Sequence, residues 1–352
     1  MLSLIERAQR EGTPLIAGDA ATFVWTGAEA PALIGDFNAW GEDGPFQLEP
    51  MAPEVWAHTL TLPRDAFIEY AFVLNGARLL DPLNRHTINT GLGTHNSWFR
   101  MPESVPYRVR RPAGKGARGA LSRHTLHGEH LVVGGERTVW LYQPPAPEPV
   151  PLLVVLDGQD YLRRARLPAM VDALIARGRL RPIALALLAH GGPARFVEYA
   201  CSESTVALIA RHLLPLAHRE LRLLDPAAHP GAYGILGASL GGLMALYTSL
   251  RLPDIFGQVL CQSGGFAINI LDHEQLIHQL LRYQADNSMR IWMDVGRFEF
   301  LLRANQETYA LLTERGYDVT YREYSGGHNY TAWRDDVWRG LEMLFGPPAD
   351  LD

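Results

Sequence analysis

The stretch Ala232-Tyr-Gly-Ile-Leu236, Gly237-Ala238-Ser239-Leu240-Gly241 and Gly242-Leu-Met-Ala-Leu-Tyr247 decides the fold. Its first part is a short apolar run suited to a strand buried on both faces, and its last part reads as a helix. Between them, glycines stand two before and two after a serine. Such spacing lets a strained strand-to-helix turn hold the hydroxyl clear of the sheet, as a nucleophile elbow requires. From Gly231 to Leu250 no charge occurs over 20 residues, about the length of a membrane span. Five of those residues are glycine, so strand, turn and helix is the better reading.

Similar runs continue on both sides. Pro151–Leu156, Ile183–Leu188, Gln258–Cys261, Arg290–Asp294 and Val319–Glu323 read as strands, and His130–Val133 with Thr138–Tyr142 as a hairpin around Gly134-Gly135. Ser204–Leu221, Gly241–Leu250, Leu301–Arg315 and Thr331–Leu344 read as helices. Alternation of this kind predicts a mostly parallel sheet wrapped by helices, with reactive loops outside the carboxyl ends of the strands. Upstream, Thr22–Trp25, Ala32–Gly35, Val55–Leu60 and Glu69–Leu74 are short strands separated by turn residues, the pattern of a small all-β sandwich. Trp25, Trp40 and Trp56 fill its core on one reading and form a sugar platform on another. The predicted organisation is a β-sandwich over 1–107, a basic linker over 108–119 and an α/β domain over 120–352.

Composition narrows the function. The 352 residues are 47% hydrophobic, and 32 basic against 38 acidic side chains give a net charge of −6. That balance argues against nucleic-acid partners and against a polybasic membrane protein. Cys201 and Cys261 are too few for a disulfide framework or a structural zinc site. The opening Met1–Arg10 reads as a charged amphipathic helix and lacks the apolar run of a secretory signal, so a cytoplasmic setting is expected.

Ser239 needs a base, and in α/β-hydrolases the order along the chain is serine, acid, histidine. His328, in Ser325-Gly326-Gly327-His328-Asn329, follows a strand and precedes a helix, with glycines that let the imidazole approach. His190 comes too early, and His273 with His278 is spaced by five where a zinc helix needs four. His124, His127 and His130 read as a hairpin edge; no metal is expected. Two carboxylates compete as the orienting acid, Asp294 and Glu299; Glu299 is favoured, one step beyond the strand end. The oxyanion donors are expected at the backbone N–H of Leu240 and at Gln159 or Gly158, in Leu156-Asp157-Gly158-Gln159-Asp160-Tyr161.

Two resemblances add to this reading. Gly35-Asp36-Phe37-Asn38-Ala39-Trp40, followed by Asp81-Pro82-Leu83-Asn84, resembles the immunoglobulin-like early-set module found ahead of glycogen-branching enzymes and enterochelin esterases. Leu156–Asp160, Arg195-Phe-Val-Glu198, Leu214-Pro215, Gly237–Gly242, Gln262-Ser263-Gly264, Gly296-x-x-Glu299 with Arg303-Ala-Asn305, and Gly326-Gly-His328 with Trp333-Arg334 resemble esterase-D-type hydrolases, the two-domain enterochelin esterases above all. The resemblance covers nearly the whole chain. It implies a cofactor-free acyl-enzyme hydrolase built on Ser239, His328 and Glu299, with Arg195 and Glu198 in a loop or pocket and Asn305 as a structural helix position. It departs from the pattern at Asn329, where many relatives carry an acid. The implied substrate is a catecholate siderophore trilactone such as ferric enterobactin, an anion for which Arg163, Arg164, Arg166, Arg195 and Arg297 are candidate contacts. A feruloyl or acetyl esterase holding a polysaccharide is the alternative.

Overall fold

The computed structural model describes residues 3–90, 93–109, 118–128, 130–266, 273–284 and 288–347, apart from the side chains of 273–276. The chain divides into two compact units. One comprises residues 1–106, 296–300 and 323–332; the other comprises 107–295, 301–322 and 333–352.

The first unit opens with helix α1 (Leu4–Glu11), whose first turn is closed by a reciprocal cap between Ser3 and Glu6. Then follow β1 (Leu15–Ala17), β2 (Ala20–Thr26), β3 (Ala32–Gly35), β4 (Phe46–Gln47), β5 (Glu49–Ala52), β6 (Val55–Thr61), β7 (Phe67–Leu74), β8 (Ala77–Leu79), β9 (Thr87–Asn89) and β10 (His95–Arg100). They form two antiparallel sheets, ordered β1-β2-β6-β5 and β4-β3-β7-β10-β9, with β8 beside β7. Asn75 and Gly76 turn β7 into β8 with φ of 50° and 77°, the left-handed pair a two-residue hairpin needs.

The core of this unit is aromatic. Phe23 meets Tyr70 edge-on at 4.9 Å and Phe99 at 5.7 Å, and all three rings are buried. Burial of each such ring stabilises the unit by about 2–3 kcal/mol. Trp25 and Trp56 pack against this core, and Arg78 lies over the Trp40 ring at 4.4 Å. Asp81 knots the sandwich together by accepting from Thr13 Oγ1 and Tyr70 Oη, both at 2.6 Å, while Asn84 donates to Tyr70 Oη at 3.0 Å. The segment 323–332 joins this unit through β7: the Phe67 N–H donates to the Ser325 carbonyl at 3.0 Å.

The second unit contains β11 (Ala120–His127), β12 (Glu136–Gln143), β13 (Leu152–Val155), α2 (Gly158–Arg163), α3 (Leu167–Ile175), β14 (Ala184–Leu188), α4 (Arg195–Tyr199), α5 (Glu203–Leu208), α6 (Leu214–Glu220), β15 (Tyr233–Ala238), α7 (Leu240–Arg251), β16 (Phe256–Gln262), α8 (His273–Tyr283), β17 (Arg290–Gly296), α9 (Leu302–Glu314), β18 (Asp318–Tyr324) and α10 (Tyr330–Phe345). Small parts of β17, β18 and α10 fall in the first unit. The sheet order is β11-β12-β14-β13-β15-β16-β17-β18. β11, β12 and β14 pair antiparallel, whereas β14, β13, β15, β16 and β17 pair parallel.

The expected hairpin is corrected here. Its first strand is β11, ending at His127, and residues 130–135 form the turn region instead. Gly134 and Gly135, at φ of 81° and 71°, let the chain loop so that Val132 turns inward and the Val133 N–H reaches Glu198. Most of the expected linker, residues 110–117, lies outside the described residues.

β13, β14 and β15 are buried along their whole length, as strands covered on both faces must be. α7 is almost as fully buried, which explains the charge-free stretch before Arg251. Among the described residues, no helix is long and apolar enough to cross a membrane. Register places the strand ends in line: Gln262 sits opposite Ala238 on one side and Asp294 on the other. Ser239, Ser263 and Val295, the next residues along each strand, therefore share one sheet edge.

Candidate active site

Ser239 stands between β15 and α7 with φ 57° and ψ −126°, a strained backbone for any residue with a side chain. Neighbouring glycines make this possible. A Cβ on Gly237 would lie 2.1 Å from the Gly241 carbonyl oxygen, and one on Gly242 would lie 3.1 Å from Gly264 Cα. Three backbone N–H groups converge on the Ser239 carbonyl, from Gly242 at 2.9 Å, Leu243 at 3.2 Å and Gly265 at 2.8 Å. The elbow is thus clamped from its own helix and from the loop after β16.

That second loop is itself anchored. Asn305 donates to the Gly264 carbonyl at 2.8 Å and accepts from its N–H at 3.0 Å, while Trp333 Nε1 donates to Ser263 Oγ at 2.8 Å. Gln262, fully buried, accepts from Tyr161 Oη at 2.9 Å and donates to Asp294 and to the Trp333 carbonyl.

The loop after β13 carries the expected oxyanion residues. Asp157 takes a left-handed φ of 54°, and Gly158 begins α2 against β14, where a Cβ would fall 2.3 Å from the Leu187 carbonyl carbon. Gln159 accepts through its side chain from the His190 N–H at 3.1 Å. Arg195, expected at the substrate, braces this loop. Its Nε and Nη2 donate to the two oxygens of fully buried Asp157 at 2.7 and 2.6 Å, and Nη2 also reaches the Ala238 carbonyl at 3.1 Å. A bidentate fork of this type fixes the loop against the strand that carries the serine. Arg164 pairs with Asp160 at 3.0 Å, whereas Arg163 and Arg166 are exposed. Glu198 is buried beside Arg137 and accepts from it, a structural pair away from solvent.

In the first unit, His328 and Glu299 meet. His328 Nδ1 lies 2.7 Å from Glu299 Oε2, and Glu299 Oε1 accepts from the Gly296 N–H at 2.7 Å and Tyr324 Oη at 2.9 Å. Glu299 is buried, so these partners hold the carboxylate in one orientation. Asp294 has different neighbours: its carboxylate accepts from Trp292 Nε1 at 2.8 Å and from Gln262. Asn329 caps α10, its Oδ1 accepting from the Ala332 N–H at 2.9 Å. Arg297 is exposed, 3.7 Å from Glu323.

Of the other histidines singled out in the sequence, four have local partners, and the His273 side chain lies outside the described residues. His190 Nδ1 accepts from the Gly192 N–H, His278 contacts Thr308, His124 contacts Ser122 and His127 contacts Glu136. Among the described residues no cluster of metal-ligating side chains occurs. Cys201 and Cys261 are free thiols; burial pushes Cys201 up to about 12, and burial together with the Asp294 charge raises Cys261 further.

Sequence reasoning missed Tyr324, Phe300 and Asp36. Tyr324 is one more aromatic at a strand end in the sequence, and only its bond to Glu299 gives it a role. Phe300 is 62% exposed yet has its ring centroid 5.4 Å from that of His328. Asp36 stands in the sequence only as part of the Gly35–Trp40 motif, with no partner of its own.

Comparison with known proteins now adds to this geometry. The profile of the Esterase family matches residues 131–343. Iron(III) enterobactin esterase of Dickeya dadantii (strain 3937) is 30% identical over 287 residues, covering 76% of this chain and 65% of that protein. The chain thus spans just under two thirds of that relative's length. Iron(III) salmochelin esterase of Escherichia coli O6:H1 is 26% identical over 83% of this chain and 78% of its own. A crystal structure of the enterobactin esterase from Shigella flexneri, with 2,3-dihydroxy-N-benzoyl-serine present, aligns with a TM-score of 0.74 over 94% of both chains at 23% identity. That likeness concerns the fold, and it extends through both units. The matched profile takes in more than half of the chain, including the elbow and the Glu299–His328 pair, and the chain belongs to the Esterase family.

Proposed function

We propose that the protein is a carboxylic ester hydrolase working through an acyl-enzyme on Ser239, with His328 as base and Glu299 as orienting acid. The observation that carries this is the 2.7 Å contact between His328 Nδ1 and Glu299 Oε2, which leaves Nε2 as the ring nitrogen that takes a proton. Alignment of the β15, β16 and β17 ends supports placing Ser239 at the reactive edge of the sheet. In the first step Ser239 Oγ attacks the ester carbonyl while its proton passes to His328 Nε2. The tetrahedral oxyanion is held by the backbone N–H groups of Leu240 and of Gln159 or Gly158. Collapse expels the alcohol, which takes the proton from His328. Water, deprotonated by the same imidazole, then releases the acid and restores Ser239.

The substrate class is a catecholate siderophore trilactone such as ferric enterobactin, with the iron as cargo of the substrate. Names of the relatives support it, as do the exposed cations Arg163 and Arg297 and the exposed Phe300 ring beside His328. The first unit's two antiparallel sheets fit an immunoglobulin-like module, and the two buried free thiols fit a cytoplasmic setting. Mass spectrometry of products from ferric enterobactin, iron-free enterobactin and a feruloylated sugar, with Ser239→Ala alongside, tests the whole reading. Dihydroxybenzoyl-serine released by the wild type alone is expected. Cleavage confined to the feruloyl ester overturns the substrate assignment, and undiminished cleavage by Ser239→Ala overturns the mechanism.

A further inference from the structure

We propose that Asp36 is a positioning residue for His328, so that the sandwich motif Gly35–Trp40 takes part in catalysis by bracing the histidine loop. The inference rests on the reading of Ser239, His328 and Glu299 as a triad.

Asp36 follows β3 and is buried. Its Oδ2 accepts from the Glu69 N–H on β7 at 2.8 Å. The motif's other polar residue holds the turn: Asn38 accepts from the Gly35 N–H at 2.9 Å and donates to the Leu33 and Gly44 carbonyls at 3.1 Å. With the turn so fixed, the Asp36 carboxyl lies flat on Gly327, the residue before His328. A Cβ added to Gly327 would lie 2.1 Å from Asp36 Oδ1 and 2.2 Å from its Cγ. Only a glycine accepts so close a neighbour.

The histidine loop is therefore held from two sides. β7 supports it through the Phe67 N–H on the Ser325 carbonyl, and the Phe298 N–H donates to the Gly326 carbonyl at 3.2 Å, tying it to the Glu299 segment. Asp36 closes the third side at Gly327. Its carboxyl is buried near two others, Glu69 and Glu299, and burial with those two charges holds it well above the usual carboxylate range. An acid kept in so unfavourable a place braces by shape and hydrogen bonding rather than by charge. Asparagine, neutral and of the same shape, is thus the conservative replacement. Serine keeps an acceptor near the turn but withdraws contact from Gly327.

The test compares wild type, Asp36→Asn, Asp36→Ser and Gly327→Ala in the full chain. For each, kcat and KM on p-nitrophenyl acetate and the rate of Ser239 labelling by a fluorophosphonate are measured per mole of protein folded by circular dichroism. Asp36→Ser is expected to lower kcat and labelling by about ten- to a hundredfold with KM within about twofold, the size of effect a small misplacement produces. Asp36→Asn is expected to restore both to within about threefold. Gly327→Ala, which forces the same contact apart from the other side, is expected to mimic Asp36→Ser and covers the case in which the serine variant does not fold. Unchanged kcat in a folded Asp36→Ser or Gly327→Ala protein overturns the inference. Failure of the wild type itself to label at Ser239 overturns the hydrolase reading instead.

Discussion

Replacing Glu299 by glutamine isolates the orienting function of the acid. The glutamine keeps the length and shape of the side chain, and its carbonyl oxygen still accepts from the Gly296 N–H and Tyr324 Oη, now at 2.7 and 2.9 Å. Its amide nitrogen then faces His328 Nδ1, where Glu299 Oε2 now lies 2.7 Å away. Two donors cannot share that contact, so the imidazole moves its proton to Nε2 and loses the lone pair that a base must present. Mis-set tautomers in such triads cost roughly 10⁴-fold in kcat, or about 5.4 kcal/mol of barrier. The Gly296 and Tyr324 bonds survive and the His328 contact is kept with donor and acceptor exchanged, so only its charge assistance is lost; stability falls by only about 1 kcal/mol, a shift of roughly 2–4 °C. The assay is steady-state hydrolysis of p-nitrophenyl acetate beside a calorimetric scan, with Asp294→Asn for comparison. Asp294 bonds to Trp292 and Gln262, so that variant is expected to lose stability while keeping kcat within about tenfold. A Glu299→Gln enzyme within tenfold of wild-type kcat refutes the reasoning, and a collapse confined to Asp294→Asn transfers the role to Asp294.

Two further outcomes follow from local geometry. Gly237→Ala places a methyl 2.1 Å from the Gly241 oxygen, a backbone atom that cannot swing aside, and is expected to cost about 2–3 kcal/mol. Differential scanning calorimetry should then show a fall of about 4–12 °C, with fluorophosphonate labelling of Ser239 lost in parallel; an unshifted transition contradicts the packing argument. For Asp36, burial and the Glu69 and Glu299 charges raise the folded carboxyl above its unfolded value. Its stabilising contribution is therefore full below the unfolded pKa and is lost as pH rises from about 4 toward the raised value. Asparagine cannot lose that proton, so the melting temperature of the wild type relative to Asp36→Asn should decline across that range, and parallel curves contradict it.

Much of the second unit was legible in the sequence because its determinants are local. Apolar runs of strand length, each followed by a helical stretch, predict β13 to β18 and α7, α9 and α10 to within a few residues. The elbow is likewise largely local: Gly237 and Gly242 are needed by backbone contacts within one turn of Ser239 or with its nearest loop, whereas Gly241 faces the Asp157 carboxylate. Where local signals misled, a second local feature competed. The run His130–Val133 looks like a strand, but Gly134 and Gly135 favour a loop, and the real strand, β11, is mostly exposed and polar.

The sequence by itself determined two kinds of structure and the strand-turn-helix that carries Ser239, since side-chain period and glycine placement act over a few residues. Tertiary structure decided the rest. Asp294 and Glu299 were equal in kind as carboxylates near one strand end, and only folding brings Glu299 to His328. Arg195 reads as a free cation until Asp157 is found across from it. Asp36 reads as one residue of the Gly35–Trp40 motif until Gly327 is packed against its carboxyl. In each case the partner is distant along the chain, so the role depends on a contact that residue type and spacing do not encode.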